Sequence, residues 1–250
     1  MSEYIVAVLS DMHGNAAALE AVLADLAAQL HDATVFAGDL IMNGPRPAET
    51  LAAVRGLGVP TVHGNTEPMI TDRDNPDPVA RWVRERLTED DLAYLAALPF
   101  SHRITPPGGE SPRDDLFIVH ATPTDVDTAL FTELLPGQEA IAAITPEDKA
   151  IALLGDARAN LILYGHIHFF SSGTVGGRRV ASIGSVGYPA DGDQRAAYAL
   201  VTWDGQNWRV TPRRVPYDVD AVIAEYADLD IPRKAIFIRR LAEAIHVAIA

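Results

Sequence analysis

The chain has 250 residues, a formal net charge of -14 and no cysteine. This composition excludes disulfides, thiolate metal ligands and a cysteine nucleophile, and the acidic balance gives no clear nucleic-acid surface. With 48% hydrophobic residues, the chain can bury the core of one large α/β domain.

The N-terminal half alternates apolar, β-rich runs with Ala- and Leu-rich stretches. This alternation predicts a βαβαβ order. The predicted elements are, in order, strand 4–9, helix 16–30, strand 34–37, helix 48–57 and strand 59–63. A polar stretch over 71–78 then precedes two predicted helices, 78–86 and 89–97.

The second half is richer in strand patterns. Strands are predicted over 116–120, 161–164, 173–182 and 197–203, with an exposed loop over 106–112. Two helical patterns follow after residue 218, separated by Asp230, Ile231 and Pro232, and the second runs over 236–249. No linker divides the chain, so we expect a single domain over 1–250, with 218–250 as a C-terminal helical extension that packs on the sheet.

The first predicted strand leads into Asp11 without a basic start, a long apolar stretch or a small-residue cleavage pattern. A signal peptide is therefore not predicted. No later segment has the roughly twenty consecutive apolar residues that a membrane-spanning helix needs. We expect a cytoplasmic protein without a membrane partner.

Polar residues able to bind a metal stand where five predicted strands end. They are Asp11, His13, Asp39, Asn65, His120, His166 and His168. Each motif alone has a simpler interpretation as a turn, a helix cap or a buried core histidine. His166 and His168 give the strongest single signal, because residues two apart on an extended chain point the same way.

The seven residues together favour a metal site, because open α/β sheets bind ligands at the carboxyl ends of their strands. Carboxylate, imidazole and amide ligands suit manganese, iron, zinc, nickel or cobalt, and the sequence does not select among these ions.

The ordered set Asp11-Met12-His13, Gly38-Asp39, Gly64-Asn65, His120 and Gly165-His166-Ile167-His168 resembles the calcineurin-like metallophosphoesterase family. The resemblance spans roughly residues 4 to 203. The stretches 184–187, 191–193 and 196–198 also look like the small bacterial phosphodiesterase branch of YfcE-type proteins. The resemblance implies a four-layer αββα sandwich of two mixed β-sheets flanked by helices.

The resemblance also implies two divalent metal ions. One would be held by Asp11, His13, Asp39 and His168, and the other by Asp39, Asn65, His120 and His166. Asp39 would then bridge the two ions, and Asp39, Asn65 and His120 would be the catalytic residues. A hydroxide between the metals would attack the phosphorus, because paired metals lower the pKa of bound water.

One position departs from the family pattern. Many relatives have a histidine after the Gly-Asn of the third motif, where this chain has Thr66. A hydroxyl is a poor general acid, so we expect phosphodiesters to be hydrolysed better than monoesters unless His63 or Glu67 protonates the leaving group. Substitution of Thr66 by histidine should then raise monoesterase activity.

Four residues are candidate contacts to substrate: Asn15, Asn43, Thr66 and Arg46. A cap or turn role for the two asparagines, and a solvated surface charge for Arg46, are alternatives. Arg195 has the same two interpretations as Arg46. The remaining histidines, at positions 31, 63, 102 and 246, are expected to be structural.

The sequence thus predicts an enzyme, a metal-dependent hydrolase of phosphodiester bonds in small, nucleotide-like phosphoester substrates. Phosphomonoesterase or dinucleoside polyphosphate hydrolase activity is the enzymatic alternative. A non-catalytic metal-binding scaffold is the alternative from another class, although such scaffolds often lose ligands and every motif ligand is present here.

Overall fold

The computed structural model of the chain describes residues 3–130, 132–133 and 143–247. Its strands are β1 (Tyr4–Leu9), β2 (Ala33–Phe36), β3 (Ser101–Ile104), β4 (Leu116–Val119), β5 (Thr132–Glu133), β6 (Ala143–Ile144), β7 (Leu161–Tyr164), β8 (Phe170–Val175), β9 (Arg178–Ile183), β10 (Ala196–Trp203) and β11 (Trp208–Val215). Its α-helices are α1 (Ala16–Ala27), α2 (Pro47–Leu57), α3 (Thr66–Thr71), α4 (Pro78–Arg84), α5 (Glu89–Ala96), α6 (Glu147–Leu154), α7 (Val219–Glu225) and α8 (Lys234–Glu243).

Two mixed sheets form the centre of the molecule. The first has the strand order β11-β10-β1-β2, and the second has the order β3-β4-β7-β9-β8. Strands β1 and β2 are parallel, as are β4 with β7 and β7 with β9. Parallel neighbours end at the same edge, so the residues that follow β1 and β2, and those that follow β4 and β7, are brought together there.

The sheets pack face to face because side chains alternate along each strand. Val6 and Val8 of β1 pack with Ile118 and Leu163 of the second sheet in one buried cluster. Ala7 and Leu9 of β1 face the other way and pack with the helices that cover the first sheet. Helix α6 covers the outer face of the second sheet. These layers confirm the predicted αββα sandwich.

The prediction of a third strand over 59–63 was wrong. Only a single parallel bridge forms, between Thr61 and Phe36. The Phe36 amide donates to the Pro60 carbonyl (3.0 Å) and the Val62 amide donates to the Phe36 carbonyl (2.9 Å). Pro60 has no amide proton of its own to extend such a ladder. The two hydrogen bonds still place the following residues, including Asn65, at the same edge of the sheet.

The predicted strand over 173–182 was also wrong, because this segment is a hairpin. Strands β8 and β9 pair antiparallel around Gly176 and Gly177, whose φ angles are 52° and 77°. Two consecutive residues with positive φ are typical of a tight hairpin turn. The sequence-based prediction missed this turn, and it also missed β3, β11, α3 and α6.

The C-terminal extension packs on the helical side of the first sheet, as predicted, through residues such as Val222, Phe237 and Leu241. Its second helix is shorter than predicted. Helix α8 ends at Glu243, and Ala244 adopts a left-handed φ of 49°. Residues 248 and 249 of the predicted helix lie outside the described residues. Among the helices described for this chain, none is long and apolar enough to cross a membrane.

Candidate metal centre

Six of the seven predicted ligands follow the carboxyl ends of strands. The seventh, Asn65, stands at the N-terminus of α3. The strand–ligand pairs are β1 with Asp11 and His13, β2 with Asp39, β4 with His120, and β7 with His166 and His168. The fold thus brings together residues up to 157 positions apart in the sequence (168 − 11).

Five of these residues have an unusual backbone conformation. The φ angles are 56° at Asp11, 49° at His13, 54° at Asp39, 65° at His166 and 62° at His168. Left-handed backbone is unfavourable for residues with a Cβ and costs about 1–3 kcal/mol at each position. Such strain persists where the surrounding structure enforces it, and it clusters at functional sites.

The first group of side chains consists of Asp11, His13 and His168. The Nε2 atoms of the two histidines are 3.0 Å apart. Asp11 Oδ1 lies 3.2 Å from His168 Nε2 and 3.8 Å from His13 Nε2. All three side chains can offer ligand atoms within 4.8 Å of one another, as a metal ion requires.

The second group consists of Asp39, Asn65 and His120. His120 Nε2 lies 3.1 Å from Asn65 Oδ1 and 3.5 Å from Asp39 Oδ1. The other carboxylate oxygen of Asp39 lies 3.6 Å from His13 Nε2, in the first group. Asp39 therefore stands between the two groups, with one oxygen directed to each.

Hydrogen bonds orient the imidazole rings. The Nδ1 atoms of His13, His120 and His168 lie 2.8–3.0 Å from the backbone carbonyls of residues 42, 37 and 188. A carbonyl only accepts, so Nδ1 carries the proton and Nε2 keeps its lone pair for a metal. His166 has the opposite arrangement, because its Nε2 lies 2.9 Å from the Asp127 carbonyl and Nδ1 remains available.

The arrangement of lone pairs fits a bound cation. The unprotonated Nε2 atoms of His13 and His168 face each other and Asp11 Oδ1, so three electron-rich atoms converge. Asp11 is fully buried, and its Oδ1 atom accepts no hydrogen bond from the described part of the chain. A buried carboxylate oxygen is costly without a partner. A divalent cation would satisfy all three atoms.

The pKa directions of Asp11, His13 and His166 agree with metal ligation. Burial lowers the pKa of His13 and that of His166 to about 4, so both rings are neutral at pH 7. Burial opposes ionisation of Asp11, but the neighbouring histidines, His168 foremost, outweigh it and hold its pKa well below the usual range. Neutral imidazole and ionised carboxylate are the forms that bind a metal.

A model of the calcineurin-like phosphoesterase superfamily domain matches residues 5–206. The chain belongs to this superfamily. A metallophosphoesterase from Sphaerobacter thermophilus is 26% identical and has a TM-score of 0.74, covering 97% of this chain and 99% of its own. A hypothetical protein from Pyrococcus horikoshii OT3 is 20% identical with a TM-score of 0.76, covering 99% and 100%. An uncharacterized protein of Methanocaldococcus jannaschii is 24% identical over 230 residues, which cover 88% of this chain and 90% of that protein.

The resemblance to the calcineurin-like metallophosphoesterase family that the motifs indicate is therefore confirmed. The superfamily comprises metal-dependent phosphoesterases, and the Asp and His groups described above are the candidate metal ligands of this member.

Glu67 is a positioning residue whose role the sequence did not show. Its carboxylate is buried and accepts backbone N–H bonds from Asp39 (3.1 Å), Leu40 (2.8 Å) and Gly64 (2.6 Å). Burial, and then the charge of Asp39, raise the pKa of Glu67 to about 7, although the backbone hydrogen bonds oppose this rise. Glu67 thereby ties the loop that carries Asp39 to the loop that carries Asn65.

Glu67→Gln is expected to weaken metal binding by about 10–100-fold, the range seen when residues that orient metal ligands are changed. In the glutamine variant, the side-chain NH₂ group would face backbone N–H groups that in the wild type donate to a carboxylate oxygen. Isothermal titration with Mn²⁺ measures the effect, and Glu49→Gln on the exposed side of α2 is the control. Metal affinity equal to that of the Glu49 variant would show that the charge and acceptors of Glu67 are not needed.

The four predicted substrate contacts have other partners in the structure, with one exception. Asn15 caps α1 by accepting from the Ala18 amide (3.1 Å), and Arg46 pairs with Glu225. Thr66 Oγ1 donates to Asp39 Oδ1 (2.9 Å). Asn43 Oδ1 is the exception, since it is buried without a hydrogen-bond partner among the described residues.

The two side chains that the sequence offered as substitute proton donors are also engaged. Glu67 holds backbone amides, as described above. His63 Nδ1 lies 3.0 Å from the Gly64 carbonyl, and its ring packs edge-on against Phe100. These contacts give both residues a structural role.

One histidine expected to be purely structural lies close to the site. Burial lowers the pKa of His246 to about 4, and the charges of Arg240, His168 and His166 act in the same direction. The sequence interpretation found no convergence for His246. The C-terminal extension nevertheless brings it within electrostatic range of two predicted ligands.

Proposed function

We propose that the chain is a dinuclear metal-dependent phosphodiesterase that acts on small, nucleotide-like substrates. The placement of Asp39 carries the proposal. One of its carboxylate oxygens is 3.6 Å from His13 and the other is 3.5 Å from His120, so a single carboxylate can serve an ion in each of the two groups.

In this proposal Asp11, His13, Asp39 and His168 hold one ion, and Asp39, Asn65, His120 and His166 hold the other. Manganese is the ion with which we would test the site, and iron, zinc, nickel and cobalt suit the same ligands. Such ions make water a nucleophile at neutral pH and stabilise negative charge on phosphoryl oxygens.

The chain's own residues prepare the site for that chemistry. Asp39 is held by Thr66, whose amide and hydroxyl donate to Oδ1 at 3.0 Å and 2.9 Å, and by Glu67 through its backbone. Asn65 contributes an uncharged oxygen, which limits negative charge in the second group. Asp11 and His120 are both fully buried, which excludes water and strengthens their electrostatic interactions.

The preference for diesters follows from the absence of a proton donor in the third motif. Thr66 donates its hydroxyl proton to Asp39 and is 5% exposed, so it does not supply a proton to a leaving group. A positioned general acid is worth roughly 10²–10⁴-fold in rate. Esters with poor leaving groups therefore suffer most, and activated or cyclic diesters least.

The experiment is hydrolysis of bis-p-nitrophenyl phosphate and p-nitrophenyl phosphate by the Mn²⁺-loaded protein. We expect the diester to be the better substrate and EDTA to abolish both activities. Preference for the monoester, or for a dinucleoside polyphosphate offered in parallel, would favour the enzymatic alternatives. Bound metal without turnover of any of these substrates would favour the non-catalytic scaffold.

Thr66→His is expected to raise the ratio of monoesterase to diesterase activity, because an imidazolium can protonate a poor leaving group. The ratio is the useful measure, since any change at Thr66 also removes its hydrogen bond to Asp39. Thr66→Val removes the same hydrogen bond without adding an acid, so both activities should fall together. An unchanged ratio in the histidine variant would contradict the assigned role of this position.

The small-molecule partner and the cytoplasmic location stay predictions. No basic surface for nucleic acid is expected from the charge of -14. The single-domain organisation over 1–250 is likewise proposed, with the extension from residue 218 as part of the same folded unit.

A further inference from the structure

The C-terminal extension borders the metal centre. The Gly192 amide, in the loop between β9 and β10, donates to the Ala244 carbonyl (2.8 Å), and in the same loop the Ala190 amide donates to the carbonyl of His168 (3.0 Å). The residues just after α8 therefore contact a loop that is itself bonded to a predicted ligand.

The same extension contacts a second loop of the site. The hydroxyl of Tyr226 donates to the carbonyl of Asn43 (2.9 Å), and the hydroxyl of Tyr188 donates to the same carbonyl (3.0 Å). Tyr217 accepts a hydrogen bond from Asn15 (3.2 Å), just beyond His13. The extension, together with Tyr217 just before it, is thus fixed to the loops that follow β1, β2 and β9.

Arg240 of α8 lies at this junction. Its Nε and Nη2 atoms donate to the Val247 carbonyl at 3.1 Å and 2.5 Å. Within the described ranges, no carboxylate pairs with its guanidinium. Its charge acts on the hydroxyls of Tyr188 and Tyr226 and on His13. Arg240 is half-buried, and a partly buried cation without an anionic partner is costly unless it serves to bind one.

The other arginines near the motif loops are already neutralised. Arg46 pairs with Glu225, and Arg195 Nη2 lies 2.7 Å from Asp193 Oδ2. Arg239, the neighbour of Arg240, donates to Glu243 Oε1 at 3.1 Å. Arg240 differs from all three, because among the described residues its guanidinium bonds a neutral carbonyl and no carboxylate, and part of its donor fork faces no protein acceptor there.

We infer that Arg240 is a substrate-binding residue that contacts the phosphate of the ester from the side of the C-terminal extension. A guanidinium fork matches phosphate oxygens in two parallel hydrogen bonds. The inference rests on the proposed function for the location of the phosphate. It assigns the extension a part in substrate recognition, beyond packing on the sheet.

Binding of inorganic phosphate to the Mn²⁺-loaded protein, measured by isothermal titration, tests the inference without requiring turnover. Arg240→Gln should weaken phosphate binding about 10–100-fold, as expected for lost hydrogen bonds to a charged group. Manganese content should stay at the wild-type level. Arg239→Gln, one residue away on α8, should bind phosphate like the wild type.

A second variant covers the case in which the loss of Arg240 disturbs the extension. Arg240→Lys keeps the charge and a donor for Val247 but loses the planar fork, so phosphate binding should fall by a smaller factor and the KM for the diester should rise more than kcat falls. Phosphate affinity within twofold of wild type in the folded glutamine variant, or in the lysine variant if only that one folds, would overturn the inference. A wild type that binds phosphate through Arg240 but hydrolyses no ester would refute the proposed activity alone.

Discussion

Replacement of Asp39 by asparagine is expected to lower phosphodiester hydrolysis by roughly 10³-fold or more, because in the proposed mechanism most of the catalysis comes from metals that this carboxylate would hold. Asparagine keeps the size of the side chain and removes its charge. The two carboxylate oxygens face His13 and His120, so the change affects both halves of the centre. Bound manganese, measured by elemental analysis after desalting, should fall below two ions per chain.

Asp25→Asn is the matched control for this variant. Asp25 lies in the last turn of α1, away from the helix end that follows His13, and pairs with Arg213 at 2.9 Å, so its replacement removes a charge and an ion pair without touching the centre. It should keep wild-type metal content and activity. An Asp39→Asn protein with two tightly bound ions and more than a tenth of wild-type turnover would contradict the bridging role.

Gly64→Ala is expected to disable the centre through a single added methyl group. A Cβ at this position would lie 2.2 Å from Asp39 Oδ1 and 2.7 Å from the Asp39 amide nitrogen. The added methyl group would meet both the backbone and the buried carboxylate of Asp39, so the carboxylate must move. We expect metal affinity to fall by about 10–100-fold and the free energy of unfolding to fall by about 1–3 kcal/mol.

Gly56→Ala provides the contrast, because no atom lies within 4 Å of a Cβ built there. Gly56 is inside α2, where alanine is favoured over glycine by about 0.5–1 kcal/mol. This variant should be slightly more stable than wild type, with unchanged metal affinity. Thermal unfolding of both variants, with and without Mn²⁺, measures the two effects. Equal metal affinity in the two alanine variants would show that the close approach at Gly64 does not matter.

The sequence predicted the parts of the fold that depend on local apolar patterns. β1, β4, β7 and β10 are continuous buried or alternating runs, and each was located within one residue at either end. The ligands followed from the same elements, because parallel strands place their final residues at one edge. The family model then confirmed what the ordered motifs indicated.

Other features depend on contacts that local patterns do not encode. The segment around Pro60 is short and makes only a bridge, and the turn at Gly176 and Gly177 interrupts what looks like one apolar strand. In the sequence, only its position directly after Gly64, Asn65 and Thr66 draws attention to Glu67. Two of the three backbone amides that donate to it lie in a loop 27–28 residues away.

Sequence motifs could not identify Arg240 and His246 as residues that lie towards the site. They lie more than 70 residues after His168 in the chain, in a segment whose helical pattern indicated only packing. The hydrogen bond between Gly192 and Ala244 brings them to the site. A sequence can mark such residues when homologues are compared, but a single helical periodicity cannot distinguish a binding arginine from a solvated one.

The most direct test of the account is the number and placement of metal ions in the protein. Crystals soaked in Mn²⁺ and measured at the manganese absorption edge should show two anomalous peaks, roughly 3.5–4 Å apart as in other two-metal sites, on either side of the Asp39 carboxylate. One peak in the group of Asp11, His13 and His168, with none beside His120 at saturating Mn²⁺, would contradict a dinuclear centre.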